Sequence, residues 1–229
     1  MSLIQKIQYW QFSKSRMEAF SDAVFAIIIT LLVLEIKVPH IENHHSTDMM
    51  LQALWKLMPR IISWVISFFF LAVIWIQHHN IMLLCKKADY GLLWLNNLLL
   101  MAACFLPFPT ALAGEYASNQ VAVLLLGGIL ALTSFLLVLL YWYVAKYHLV
   151  PEYDPVSMMK NVKRSFFLAP IFIVVATIAS FVHIYIPFVV YFLVSFLFLF
   201  PLDKPIESSV ASNNLATPTE YALENKTDE

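Results

Sequence analysis

The chain has 229 residues, of which 61% are apolar and 13% charged, and its formal net charge is −1. That balance excludes an ordinary water-soluble domain, and the 14 Lys and Arg are scattered at segment ends with no basic face for nucleic acid. An all-α integral membrane protein remains, because several apolar runs reach the roughly 20 residues that cross a bilayer core about 30 Å thick.

The first span is predicted near 17–38, within "RMEAFSDAVFAIIITLLVLEIKVP". Ser15 and Glu18 have capping-box spacing, which starts the helix at Arg16. On a helical wheel Ile27, Leu31 and Leu34 fall within about 40° of one another, and Phe20 and Val38 extend that apolar stripe. Asp22 lies roughly 140° from Ile27, and Ser21 about 120° to the other side. A basic flank precedes the run, but "IKVPHIE" offers no small-residue cleavage site, so the segment reads as a mature helix and not a signal peptide.

In the following loop, "STDMMLQALWKLMP" places Met50, Leu54 and Leu57 at helical spacing behind Ser46 or Thr47 as a cap, which predicts a short amphipathic helix lying on the outer surface. The second span, near 60–78, ends in "WIQHHN"; the third, near 91–113, opens with "ADYGLLWLNN" and contains the Pro-interrupted "CFLPFPT". Further spans are predicted near 120–144, 165–182 and 185–201, the last two joined as a tight hairpin through "VHIYIP". Six helices make a membrane domain over 1–204, followed by a polar tail over 205–229 predicted to be disordered. Cys85 and Cys104 are too few for a disulfide framework and read as small packing residues.

Placing both termini in the cytoplasm puts Lys6, Lys14, Arg16, Lys86, Lys87, Lys146, Lys160, Lys163, Arg164, Lys204 and Lys226 inside, against Lys37, Lys56 and Arg60 outside, which is the sense of the positive-inside rule. At that inner level Asp22 needs donors or water, because an unpaired carboxylate in a membrane costs several kcal/mol. Trp75, His78, His79 and Asn80 on the second helix and Trp94, Asn96 and Asn97 on the third are the candidates, and together they predict a buried polar network joining helices one to three.

Adjacent His78 and His79 lack a spaced third ligand, so no metal site is assigned. No phosphate-cradling loop or H-E-x-x-H motif occurs, and no internal repeat is evident, so a pore or site on an axis requires several copies of the chain. Three function classes stay open on residues alone: a cation channel, a secondary transporter of a small cation or metabolite suggested by "CFLPFPT", and a membrane-embedded enzyme built on Asp22 with His78 or His79.

The opening stretch also resembles the signature of the transmembrane protein 175 family of potassium-permeable channels, whose Arg-x-x-x-Phe-Ser-Asp motif is matched here by Arg16, Phe20, Ser21 and Asp22. The resemblance implies the prokaryotic type with one six-helix unit per subunit, a homotetramer in the cell membrane with the first helix of each subunit lining a central pore. It implies a hydrophobic constriction, here at Ile27, Leu31 and Leu34, with Thr30 as a hydroxyl layer beside it, in place of a ring of backbone carbonyls. The motif residues, with Trp75, His78, Trp94, Asn96 and Asn97, are then expected to brace the pore helix through interhelical hydrogen bonds. Potassium and other monovalent cations are the expected permeant species, with modest preference for potassium over sodium, no cofactor and no enzymatic step.

Overall fold

A computed structural model describes residues 13–42, 45–147 and 168–199. The expected starts and ends of the fifth and sixth spans at 165 and 201 and the tail over 205–229 lie outside these residues. All regular structure described is helical.

Helix α1 runs Lys14–Leu31 and passes into a 3-10 turn, Leu32–Glu35. It begins two residues earlier than the Arg16 start inferred from the capping box. Ser13 occupies the cap position, and Glu18 pairs with Lys14 at 3.4 Å instead of folding back on the cap. At the other end the α-helical phase stops at Leu31, so Val38 stands beyond the helix in extended chain and is not part of its stripe. Leu34 keeps its alignment with Leu31, because residues three apart eclipse in a 3-10 turn.

Helix α2, Thr47–Lys56, is capped by the Ser46 side chain, which accepts from the Met49 backbone N–H at 3.3 Å. None of its residues is buried within the subunit. Helix α3 follows directly as Met58–Leu84. It does not end at "WIQHHN": the helix continues to Leu84, because His78 is buried against neighbouring helices and not at a wet end.

The third span divides into α4, Tyr90–Phe105, and α5, Pro107–Glu115, with Leu106 between them. Pro107 has no N–H to donate to Ala103, and the Leu106 N–H takes that acceptor at 3.0 Å, tightening the chain by one residue. Thr110 donates to the Leu106 carbonyl at 2.9 Å and lies 2.7 Å from the Ser67 hydroxyl, so the break is tied to α3 through buried hydroxyls. An Arg60–Glu115 ion pair joins the far ends of the same two helices.

Helix α6, Gln120–Tyr147, is apolar on every side and the most enclosed of the long helices. Against it packs α7, Leu168–Ala179, while α8, Ile186–Leu199, packs on α7 and α3. Helix α7 stops short of 182 because Ser180, Phe181 and Val182 bond three residues back in successive tight turns. Among the described residues, four stretches are long and apolar enough to cross a membrane: Lys14–Glu35, Met58–Leu84, Tyr90–Glu115 and Gln120–Tyr147. The described parts of α7 and α8 are apolar but shorter.

Where α6, α7 and α8 meet, Thr177 and Tyr191 share a hydrogen bond at 2.7 Å directly over Gly127, and a Cβ at Gly127 would overlap both hydroxyls. Gly128 faces open space. Gly127→Ala should therefore cost about 1–3 kcal/mol through overpacking, whereas Gly128→Ala should be neutral or stabilise by up to about 1 kcal/mol. Thermal unfolding in detergent measures both, and equal melting temperatures would show that the three helices do not close on Gly127.

Candidate functional site

Two faces of α1 have different surroundings. Met17, Ser21, Phe25, Ile28 and Leu32 recur at spacings of four, four, three and four and are all buried against α3 and α4. A second side, turned about 110° from the first, carries the apolar stripe, with Ile27 57%, Leu31 45% and Leu34 62% exposed in the single subunit. Phe20 continues it toward the helix start and is likewise exposed. An apolar surface of this extent on a membrane helix is covered in the membrane by lipid or by other copies of the chain. Thr30 is exposed beside the stripe, and its hydroxyl donates back to the carbonyls of Ala26 and Ile27, 3.0 and 2.9 Å away.

The buried face is held by a directional chain of hydrogen bonds. The His78 Nε2–H donates to the Asn96 carboxamide oxygen at 2.8 Å. The Asn96 nitrogen donates to Ser21 Oγ at 2.9 Å, and Ser21 donates to the Met17 carbonyl at 2.9 Å. Ser21 and Asn96 are fully buried, and His78 is nearly so. Phe25, one turn beyond Ser21, packs a tilted ring on His78 with centroids 5.6 Å apart. The three polar side chains come from α1, α4 and α3, so one chain of donors and acceptors joins three helices.

Asp22 makes a separate contact, accepting from the Trp75 indole N–H at 2.9 Å. Asp22 and Trp75 are both exposed, so the carboxylate is a flank of the network and not its buried centre. The remaining motif residues lie outside the chain of hydrogen bonds. Arg16 is exposed, Asn97 is half-buried, and Trp94 is exposed with its ring edge-on to Tyr90. The sequence marks the polar residues but not the hub. Asn96 and Asn97 are adjacent and chemically identical, and only the phase of α4 sets Asn96 inward with Leu92, Leu99 and Leu100.

A groove of about 370 Å³ runs beside the Leu34 end of the stripe, between Leu31, Leu34 and Glu35 on one wall and Cys104, Pro107 and Phe108 at the α4–α5 break on the other. Among the described residues, no three His, Cys, Asp or Glu side chains come together as a metal site.

The geometry ranks the polar residues by consequence. Asn96→Ala removes partners from both His78 and Ser21 in a water-free setting and should cost about 1–3 kcal/mol, while Asp22→Ala frees an indole that water can reach and should cost less. Melting of the purified protein in detergent measures both. A larger loss for Asp22→Ala than for Asn96→Ala would place the carboxylate at the centre of the network instead.

The chain matches the family model described as "Endosomal/lysosomal potassium channel TMEM175" over residues 16–107, a segment that contains α3, α4, all of α1 but its first two residues and every polar residue just described. A protein of Chryseobacterium sp. named as a potassium channel is 32% identical over 205 residues, covering 88% of this chain and 100% of that one. A potassium channel of Chamaesiphon minutus is 46% identical over 106 residues, 46% of this chain and 52% of the relative. One of Streptomyces collinus is 42% identical over 101 residues, 44% of this chain and 48% of the relative. With these last two, the chain spans about half the length of the relative it matches. Among solved structures, the crystal structure of a lysosomal potassium-selective channel TMEM175 homolog from Chamaesiphon minutus superposes with a TM-score of 0.72 at 33% identity, covering 81% of this chain and 96% of that one. With the Arg16, Phe20, Ser21 and Asp22 motif in place and a relative matched over its whole length, the chain belongs to the TMEM175 family.

Proposed function

We propose that this chain is the subunit of a potassium-permeable cation channel, a homotetramer in which α1 of each copy faces a central ion path. The observation that carries this reading is the division of α1 into a face pinned inward by Ser21, Phe25 and Ile28 and an apolar face, Ile27, Leu31 and Leu34, left open on the least enclosed of the long helices. A single subunit supplies one such face, and closing a path around an axis requires several. The potassium specificity rests on the names borne by the relatives from Chryseobacterium, Chamaesiphon and Streptomyces.

In this reading Ile27, Leu31 and Leu34 form rings without polar ligands. A cation passing them sheds part of its hydration or waits for the gap to widen. Potassium holds its water less tightly than sodium, so it passes more readily, and the absence of an oxygen cage keeps that preference modest. The residues Ser21, Asn96 and His78, with Asp22 and Trp75 at the flank, set the rotation of α1 that turns the stripe toward the axis. Each subunit has six membrane helices with both termini on the cytoplasmic side of the cell membrane. The groove between Leu34 and Pro107, which adjoins the stripe, takes side chains of the neighbouring subunit in this reading. No catalytic step or resident cofactor enters this function.

One observation favours a secondary transporter as a second reading: the break between α4 and α5 at Leu106, beside the same groove, since transporter sites are commonly built at interrupted helices. Purified protein in liposomes separates the two readings. A channel passes potassium down its gradient without a coupled ion and at rates above those of a carrier cycle, and flux that saturates at low rate with strict ion coupling would overturn the channel reading.

Two measurements test the path itself. The particle mass in mild detergent should correspond to four subunits, and a conducting monomer would end the central-path arrangement. Ile27→Asn should raise current and lower the preference for potassium, because an amide wets the narrowest ring. Ile178→Ala, at an exposed apolar position on α7, should leave both unchanged. An Ile27→Asn protein that assembles and conducts like the parent would remove this stripe from the ion path.

A further inference from the structure

A feature not used by the ion path lies at the end of the bundle where α3 turns into α4. The loop from Cys85 to Asp89 is fixed at several points. The buried Cys85 thiol donates to the Lys87 carbonyl at 3.1 Å, and burial pushes that thiol up from its ordinary range. Ala88 is also buried. One Asp89 oxygen caps α4 by accepting from the Leu92 N–H at 2.7 Å, and the other accepts from the Tyr143 hydroxyl at 2.9 Å. Gly91 makes room for that second bond: a Cβ there would run into the Tyr143 ring. The loop is thereby fastened beside the end of α6.

This fastening gathers cations. Lys86 and Lys87 are exposed on the loop, while the residues that flank them, Cys85 and Ala88, are buried. Lys146 lies one turn beyond Tyr143, also exposed, with its ammonium 4.8 Å from the centre of the Trp142 ring and 5.0 Å from that of Tyr147. Among the described residues, none of these three lysines takes part in an ion pair. Asp89, the carboxylate on the loop itself, is occupied by a backbone N–H and a phenol. Below Lys146, Trp142, Phe135 and Leu132 follow at spacings of seven and three along one exposed apolar side of α6.

We propose that this corner binds an anionic phospholipid, its phosphate held by Lys86, Lys87 and Lys146 and its acyl chain lying along Trp142, Phe135 and Leu132. Each part matches a different part of the lipid. Ammonium groups near a membrane surface attract anionic headgroups, Trp and Tyr favour the headgroup level, and an exposed apolar track continues inward from them. The fixed loop holds the backbone of Lys86 and Lys87 in place before any lipid arrives, so the loop itself needs no ordering on binding. The inference concerns a surface apart from the α1 stripe and stands independently of what that stripe conducts.

Native mass spectrometry of the full chain, purified in neutral detergent and supplied with phosphatidylglycerol or phosphatidylcholine at equal concentration, tests this. The protein should retain several-fold more phosphatidylglycerol, and the combined Lys86→Gln, Lys87→Gln and Lys146→Gln variant should lose that excess. Lys37→Gln with Lys56→Gln, at the other end of the bundle, should keep it. Lys146→Gln alone, on a side chain outside the packed core, should lower the excess and serves where the triple variant does not fold. Equal retention of the two lipids, or undiminished phosphatidylglycerol on a folded lysine variant, overturns the proposal. So does inorganic phosphate raising the melting temperature as much as phosphatidylglycerol does, since that result assigns the corner to a soluble anion.

Discussion

The arrangement depends on a scarcity of hydrogen-bond partners. Inside a membrane protein, Ser21, Asn96 and His78 have no water to fall back on, and the structure satisfies them chiefly with one another. The net gain from each such bond is about 1 kcal/mol, but leaving a buried partner unmatched costs more than the bond itself provides. The constraint therefore works mainly by exclusion. Turning α1 by one residue, about 100°, would carry Ser21 out of reach of Asn96 and drive part of the exposed stripe into the core. Three short side chains thus fix the orientation of a helix whose remaining contacts are apolar and would tolerate several rotations.

How much of this was legible in the sequence follows from the same physics. Polar residues are expensive in apolar spans, so Ser21, Asp22, Trp75, His78 and Asn96 stand out in the sequence, as does the stripe at Ile27, Leu31 and Leu34. What could not be read was the choice between neighbours. Ser21 and Asp22 are adjacent, as are Asn96 and Asn97, and charge drew attention to Asp22 although the buried centre is Asn96. The polarity of "WIQHHN" suggests a helix end, because sequence does not show that a buried polar residue such as His78 sits mid-helix, and α3 runs on to Leu84. The 3-10 turn at Leu32–Glu35 carries no Gly or Pro signal of its own, so nothing in the sequence marks where the α-helical phase ends before Val38.

The break at Leu106 shows a related economy. Pro107 frees backbone groups in the middle of a span, which lipid cannot satisfy. The chain absorbs the defect with a tightened turn at Leu106 and with the hydroxyls of Thr110 and Ser67, so the interruption becomes a contact with α3 instead of a gap. Its outer side, at Pro107 and Phe108, then stands next to the end of α1, where the helix has already narrowed into a 3-10 turn.

Thr30 carries a consequence for the sign of the charge that this face favours. Its single hydroxyl hydrogen is spent on the Ala26 and Ile27 carbonyls, so the oxygen turns only lone pairs toward the open side of α1. In the proposed assembly, four such oxygens around an axis make a collar of partial negative charge with no donor to offer an anion. The same back-bonding thus favours positive ions before any difference in ionic size matters, and no formal charge is needed within the lipid-spanning part of the helix.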